Sequence, residues 1–282
     1  MMLVIEKIQQ IKELSARWKK ERKTIGLVPT MGCLHDGHLS LIRKSREECD
    51  VTVVSIFVNP TQFGPKEDYT AYPRIFEQDC EDCENDKVDV IFAPSVEEIY
   101  PDGFQTSVSV KLLQNHLCGL SRPGHFDGVA TIVLKLFNIV SPHKAYFGEK
   151  DYQQLQIIKR MVNDMNLDTA IVDMPIVREP DGVAMSSRNK YLNPEDRGSA
   201  KILRKIIKEA EHLIINGEIE PETVLSALHK IAKKEKNIVV DYISLCDPDT
   251  LEDLDSLEKD VLVAVAVKIG NTRLIDNMVI RR

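Results

Sequence analysis

The sequence predicts an α/β fold, a doubly wound and mostly parallel sheet, followed by a second, smaller α+β domain. Three observations carry this. Through the first two-thirds of the chain, β-branched apolar runs alternate with amphipathic, helix-length stretches across short connections, the pattern of a Rossmann-like sheet. One run, Val51 to Val58 (VTVVSIFV), is apolar almost without interruption, as a strand covered on both faces requires. After Val177 the texture changes to a turn cluster, two helices and three consecutive strands.

Taken in order, Ile5 to Arg22 reads as an amphipathic helix with Ile8, Ile11, Leu14 and Trp18 on one face. Core packing accounts for Trp18, the only tryptophan. Thr24 to Thr30 suits a buried strand, His38 to Cys49 a helix, and Val88 to Ala93 repeats the character of the Val51 strand. Phe76 to Asp86 is an acidic, helix-like run. Gly128 to Val140 is a long apolar helix, Lys144 to Phe147 a short strand, Tyr152 to Met165 a helix and Thr169 to Met174 a strand. Glu179-Pro180-Asp181-Gly182 is the turn cluster. Beyond it, helices are expected near Pro194 to Asn216 and Pro221 to Lys236. Strands are expected at Val239 to Leu245, Val261 to Ile269 and Leu274 to Ile280. These divide into a Rossmann-like domain, 1–178, and a smaller α+β domain, 179–282.

Composition narrows the function. The 282 residues are 43% hydrophobic and 29% charged, ordinary for a water-soluble globular protein. No stretch approaches the roughly 18 apolar residues that cross a bilayer. Met1 to Lys20 is charged and lacks the apolar core of a secretory signal, so no membrane partner and a cytoplasmic location are expected. The net charge of −7 argues against nucleic acid, yet not against ATP, whose phosphates need only a few local groups. Six cysteines are too sparse for a disulfide scaffold. Cys80 and Cys83 have C-x-x-C spacing, which leaves zinc and redox readings beside plain thiols. No second Cys/His pair follows, which favours reduced, non-ligand thiols.

The sharpest feature is Pro29-Thr30-Met31-Gly32-Cys33-Leu34-His35-Asp36-Gly37-His38, an H-x-G-H between a strand and a helix. Two glycines free the backbone, the N–H groups of the helix's first turn form an anion site, and His35 and His38 flank it. Imidazoles there donate to phosphate oxygens and stabilise charge at a phosphorus under attack. The alternatives are a tight turn whose histidines cap or face solvent, and a two-histidine zinc site that lacks a third ligand.

Three further segments follow strands or turns. Asn59 and Gln62, in Phe57-Val58-Asn59-Pro60-Thr61-Gln62-Phe63-Gly64, lie past the C-terminal end of a buried strand, where open α/β sheets bind ligands. Their neutral amides suit a substrate with hydroxyls and a carboxylate; an Asn-Pro turn with Gln62 in solvent is the alternative. In Phe147-Gly148-Glu149-Lys150-Asp151-Tyr152-Gln153-Gln154, the glycine allows close approach and the lysine brings positive charge to a helix start. Asp151 either caps that helix or acts through Mg²⁺, and Gln154 lies on the same side one turn on. Met185-Ser186-Ser187-Arg188-Asn189 is a short serine-rich loop after the turn cluster, uninformative on spacing alone. Arg122 and His125 sit in a Gly/Pro-rich loop that is equally read as plain surface. Phe63 to Tyr72, with Lys66, reads as a lid, and Asp79 as a metal-linked carboxylate or an ordinary acidic helix residue. His116, His143, His212 and His229 read as structural or surface residues.

With H-x-G-H, these segments and Ser121-Arg122-Pro123-Gly124-His125-Phe126 in this order, the chain resembles the pantothenate synthetase family of the nucleotidyltransferase superfamily over essentially its whole length. The lysines common in the superfamily's mobile phosphate loop are absent at 185–189.

The resemblance implies an ATP-dependent ligase that adenylates pantoate, releases pyrophosphate, and joins the acyl group to β-alanine with release of AMP. The nearest alternative is a mononucleotide adenylyltransferase using the same phosphate site. It further implies His38, His35, Lys150 and Arg188 as catalytic. ATP is expected on Met31, Gly32, Cys33, Leu34, His35, Asp36, Gly37, His38, Gly148, Glu149, Lys150, Asp151, Val177, Met185, Ser186, Ser187 and Arg188. Gln62, Gln154 and Asn59 are expected on pantoate and β-alanine. Mg²⁺ is expected to travel on the ATP phosphates without a metal site in the protein, and the assembly is expected to be a homodimer.

Overall fold

A computed structural model describes residues 2–65 and 67–282; Lys66, within the expected lid, lies outside the described residues. In the first part of the chain the elements are β1 (Leu3–Ile5), α1 (Ile8–Lys20), β2 (Ile25–Thr30), α2 (Asp36–Glu48), β3 (Val51–Ile56), α3 (Phe76–Asn85), β4 (Val90–Phe92) and α4 (Val96–Ile99). There follow α5 (Leu117–Ser121), α6 (His125–Val140), β5 (Lys144–Gly148), α7 (Tyr152–Asp164) and β6 (Ala170–Met174). The last elements are α8 (Pro194–Ile215), α9 (Pro221–Ala232), β7 (Ile238–Cys246), β8 (Val261–Ile269) and β9 (Thr272–Ile280).

The chain groups into two units. One comprises Met1–Val110, Arg122–Glu149 and Gln154–Pro175; the other comprises Lys111–Ser121, Lys150–Gln153 and Ile176–Arg282. The sequence alone places a boundary after residue 178 and gives no sign of the two short segments that join the second unit.

In the first unit six parallel strands lie in the order β1-β4-β3-β2-β5-β6. The order reverses between β2 and β5, so the loops leaving their C-terminal ends open a crevice, the usual ligand position in such sheets. Leu27, Val28, Val53 and Val54 are all fully buried, which both-face coverage explains. Val28, Val54, Ile91 and Tyr146 form one core with Leu41 and Ile42 of α2 and Cys83 of α3. On β5 the next residue, Phe147, meets Phe137 of α6 at 6.5 Å between ring centroids, so the alternating faces take different helices. Strand β1 is not expected from the sequence, where Ile5 opens a helix. It is an edge strand of three residues paired with Val90 to Phe92.

In the second unit, the antiparallel order β7-β8-β9 puts β8 in the centre. Its odd residues, Val261, Val263, Val265 and Val267, pack with α8 and α9. Its even residues Leu262 and Ala264 meet Leu117, Cys246 and Leu251. Gln153, buried, ties the 111–121 segment down: its Nε2 donates to the carbonyls of Leu113 (2.9 Å) and His116 (2.7 Å), and its Oε1 accepts from the Cys118 amide at 3.0 Å.

Candidate active site

Strand β2 delivers the H-x-G-H turn. Thr30 Oγ1 donates to the Ser55 carbonyl at 2.8 Å and accepts the Gly32 amide at 3.1 Å. Gly32 and Cys33 are both left-handed, at φ 77 and 52. That pair of rotations turns the amides of Cys33 and Leu34 onto the two oxygens of Asp79, at 2.9 and 2.8 Å. His35 is the N-cap of α2, its Nδ1 accepting the Gly37 amide at 3.1 Å. With Nδ1 an acceptor, the neutral ring carries its proton on Nε2. His38 sits in the first turn, its ring centroid 4.1 Å from that of His35.

The helix therefore starts earlier than His38, and the turn is closed inward. The amides of Gly32, Cys33, Leu34 and Gly37 donate within the protein, and the positive end of α2 lies beside the two imidazoles. Beside the turn lies a cavity of about 270 Å³ bounded by Met31, Gly32, Phe57, Tyr69, Arg74 and Asp79, among others.

Strand β3 delivers Asn59 and Gln62 on a single 3₁₀ turn, Pro60–Gln62. Asn59 is fully buried. Its Nδ2 donates to Gln62 Oε1 (3.0 Å) and to the Gly128 carbonyl (3.1 Å), and its Oδ1 accepts from Tyr100 Oη at 2.9 Å. It holds Gln62 in place. The turn sits against α6 because residue 128 is glycine: a Cβ there would lie 2.4 Å from the Thr61 carbonyl oxygen.

Arg122 and His125 belong to this same cluster and are not a plain surface loop. Arg122 donates from Nε and Nη2 to both oxygens of Glu67, at 2.7 and 2.5 Å, and from Nη2 to the Gln62 carbonyl at 3.2 Å. His125 Nδ1 lies 2.7 Å from the same carbonyl and must be its donor, so its Nε2 accepts from Arg122 Nη1 at 3.0 Å. Burial alone would raise the Glu67 carboxyl, but the bonded Arg122 guanidinium leaves it below its ordinary value. Residue 67 thereby tethers the 63–72 run to the residues around Gln62. No feature of the sequence singles out Glu67.

At the end of β5, Gly148 is half-buried with open space where a Cβ would stand, and Gln154 is half-buried on α7. The remaining expected residues lie in the second unit. Lys150 keeps 20% of its side chain exposed, with Nζ 3.8 Å from the Asp151 carboxylate, and its carbonyl accepts Asn277 Nδ2 at 2.8 Å. Val177 accepts the Met185 amide at 3.0 Å, closing a hairpin-like loop around the turn cluster. Ser186 Oγ accepts the Arg188 amide at 3.3 Å and starts a 3₁₀ turn, Ser187–Tyr191. Arg178 pins this loop by donating to both oxygens of Asp276, at 2.8 and 2.9 Å, while Arg197 bonds Glu179 and Asp181. Nothing in the sequence couples residues 178 and 276.

Among the described residues no group of three or more His, Cys, Asp or Glu side chains could hold a metal ion, and no helix is long and apolar enough to cross a membrane. All six cysteines are free thiols. Burial, with Asp79 nearby, pushes the Cys83 thiol up to about 12, so it stays protonated at neutral pH.

Fold and turn together define the class: a doubly wound α/β enzyme with an H-x-G-H turn at the switch point of its sheet. A family model described as pantoate-beta-alanine ligase matches residues 3–279. The chain belongs to that family. The pantothenate synthetase of Thermotoga petrophila is 53% identical over 99% of this chain and 100% of its own length, and that of Caldicellulosiruptor bescii is 55% identical over 99% of each. Among solved structures, the pantothenate synthetase of Thermus thermophilus aligns with a TM-score of 0.94 at 42% identity, covering 98% of this chain and 99% of that one. The pantoate-beta-alanine ligase of Francisella tularensis, complexed with beta-gamma ATP and beta-alanine, aligns at 0.82 and 38%, covering 99% and 98%.

Proposed function

We propose that this chain is a pantoate–β-alanine ligase that works through pantoyl adenylate. A pantoate carboxylate oxygen attacks the α-phosphorus of ATP, and the bond from that phosphorus to the bridging oxygen breaks, releasing pyrophosphate. The neutral amine of β-alanine then attacks the acyl carbon, the carbon–oxygen bond to AMP breaks, and the nitrogen loses a proton. The single observation that carries this reading is the whole-length match to the family, with His35 and His38 paired at the end of β2.

No covalent nucleophile is needed, because the phosphoryl oxygen makes the acid a good acyl donor. The protein contributes orientation and charge neutralisation; well-aligned reactants gain about 7–11 kcal/mol in the best cases. His35 and His38 stabilise the phosphates, with His38 as the proton donor. Lys150 and Arg188, with Ser186 and Ser187, balance charge on the β- and γ-phosphates as pyrophosphate leaves. Gln62 and Gln154 orient pantoate, and Asn59 acts through Gln62. Met31 and Val177 line the adenine nucleotide's pocket. Mg²⁺, carried on the phosphates, neutralises part of their charge. A homodimer in a reducing, cytoplasmic setting completes the proposal.

The adenylyltransferase reading requires a phosphate nucleophile in place of the carboxylate, and no observation favours it. Isotope exchange between pyrophosphate and ATP should require pantoate and not β-alanine, and mass spectrometry of ATP with pantoate alone should show the acyl-AMP. Exchange that ignores pantoate would end the proposal.

A further inference from the structure

We infer that Asp79 is a positioning residue for the adenylation step: its buried carboxylate sets the turn that carries His35 and His38. The side chain is 1% exposed, and its oxygens take the amides of two consecutive residues, Cys33 at 2.9 Å and Leu34 at 2.8 Å. Two neighbouring amides converge on one carboxylate only because the backbone is left-handed at Gly32 (φ 77) and Cys33 (φ 52). A non-glycine residue keeps such a conformation when its surroundings impose it. Asp79 is what imposes it. The fit is close, since a Cβ on Gly32 would stand 2.8 Å from Asp79 Oδ2.

From Leu34 the chain runs directly into His35, the N-cap of α2, and one turn further to His38. A shift at the carboxylate therefore moves both imidazoles together. The chemistry demands a carboxylate: an asparagine offers one acceptor oxygen and turns its NH₂ group against a backbone N–H. With each oxygen bonded to a backbone amide, Asp79 acts through the turn.

The inference rests on the pantoate-activating reading, and its test separates the two. Pantoate-dependent pyrophosphate–ATP exchange is measured for the full chain and for Asp79→Asn, with titrations of ATP, pantoate and Mg²⁺. We expect kcat to fall about 100-fold, the scale of an ångström-sized misplacement, with KM for both substrates and half-saturating Mg²⁺ within about threefold. No exchange in the parent chain defeats the functional reading. An active parent with an equally active Asp79→Asn, or a loss that added Mg²⁺ restores, overturns the positioning role. Asp79→Glu keeps the charge and displaces the oxygens, so it too should lose kcat; full activity would show that charge alone suffices. Hydrogen exchange of the unaltered protein decides independently of whether the variants fold. The Cys33 and Leu34 amides should be protected like those of α2, and exchange at the rate of exposed loop amides overturns the inference.

Discussion

The side-chain amide of Asn59 donates to Gln62 Oε1 at 3.0 Å from a position with no solvent exposure, so Asn59 fixes the orientation of Gln62, which is proposed to bind pantoate. Asn59→Ala leaves the Gly128 carbonyl and Gln62 Oε1 short of a donor and Tyr100 Oη short of an acceptor. We expect a loss of about 1–3 kcal/mol in stability from groups left unsatisfied, seen as a lower Tm, together with a raised KM for pantoate. Gln62→Ala should raise that KM more while lowering Tm less. Thermal unfolding and steady-state kinetics on both variants check this. A raised KM for Asn59→Ala at unchanged Tm would place Asn59 on the ligand after all.

Two glycines make opposite predictions. A Cβ at residue 128 would stand 2.4 Å from the Thr61 carbonyl oxygen, a backbone atom that cannot swing away. Gly128→Ala should therefore cost about 1–3 kcal/mol, the usual penalty of overpacking, and raise the KM for pantoate by displacing Gln62. At Gly148 nothing lies within 4 Å of the added carbon. Gly148→Ala should keep its Tm and lose exchange activity, because only an arriving nucleotide needs that space. Unchanged activity would remove Gly148 from the nucleotide site.

What the sequence reveals and what it hides follow from the range of the interactions. Val51–Ile56 and Val261–Ile269 are legible as strands because both faces of each are buried, which forces continuous apolar runs. The H-x-G-H turn is legible because its chemistry is local. Strand β1 is hidden: Leu3 and Val4 are 44% and 46% exposed on a three-residue edge, too short to show alternation. Asp79 is picked out in the sequence as a metal-linked carboxylate or an acidic helix residue, but its bonds to the turn are hidden for a different reason. Its partners lie 45 and 46 residues away, and its acidic neighbours disguise it as a solvated helix face. The second unit's hold on 111–121 depends on Gln153, whose bonds span 35 to 40 residues. No local pattern encodes such pairings.

At the C-terminal end of α2, Glu48 gives a pH signature. The bonded ammonium groups of Lys144 and Lys44 hold its carboxyl at about 2, against an ordinary 4.5. A carboxyl depressed in the folded state stabilises the fold above its unfolded value and loses that contribution as pH falls. The window is thus from about 4.5 down to about 2. Comparing urea midpoints with Glu48→Gln, the parent should be the more stable above about pH 5 and the two should converge near pH 2. A constant gap across that range would show that the contacts of Glu48 do not depend on its charge.

The 177–188 loop is held by a two-bond ion pair. Arg178 and Asp276 share two bonds of 2.8 and 2.9 Å, and Asp276 is 2% exposed. Removing the guanidinium leaves a buried carboxylate without its counter-charge, at a cost of about 3–5 kcal/mol. Arg178→Ala should therefore lower the urea midpoint strongly. The double variant Arg178→Met with Asp276→Leu removes both charges and should recover most of that loss, since apolar replacement of a whole buried pair is often neutral or stabilising. If the pair also holds the serine-arginine segment in place for the phosphates, the double variant will regain stability without regaining kcat in pyrophosphate exchange. Recovery of both would reduce the pair to a structural clasp, and recovery of neither would mean that Arg178 acts through its bond to the Gly182 carbonyl, 3.0 Å away.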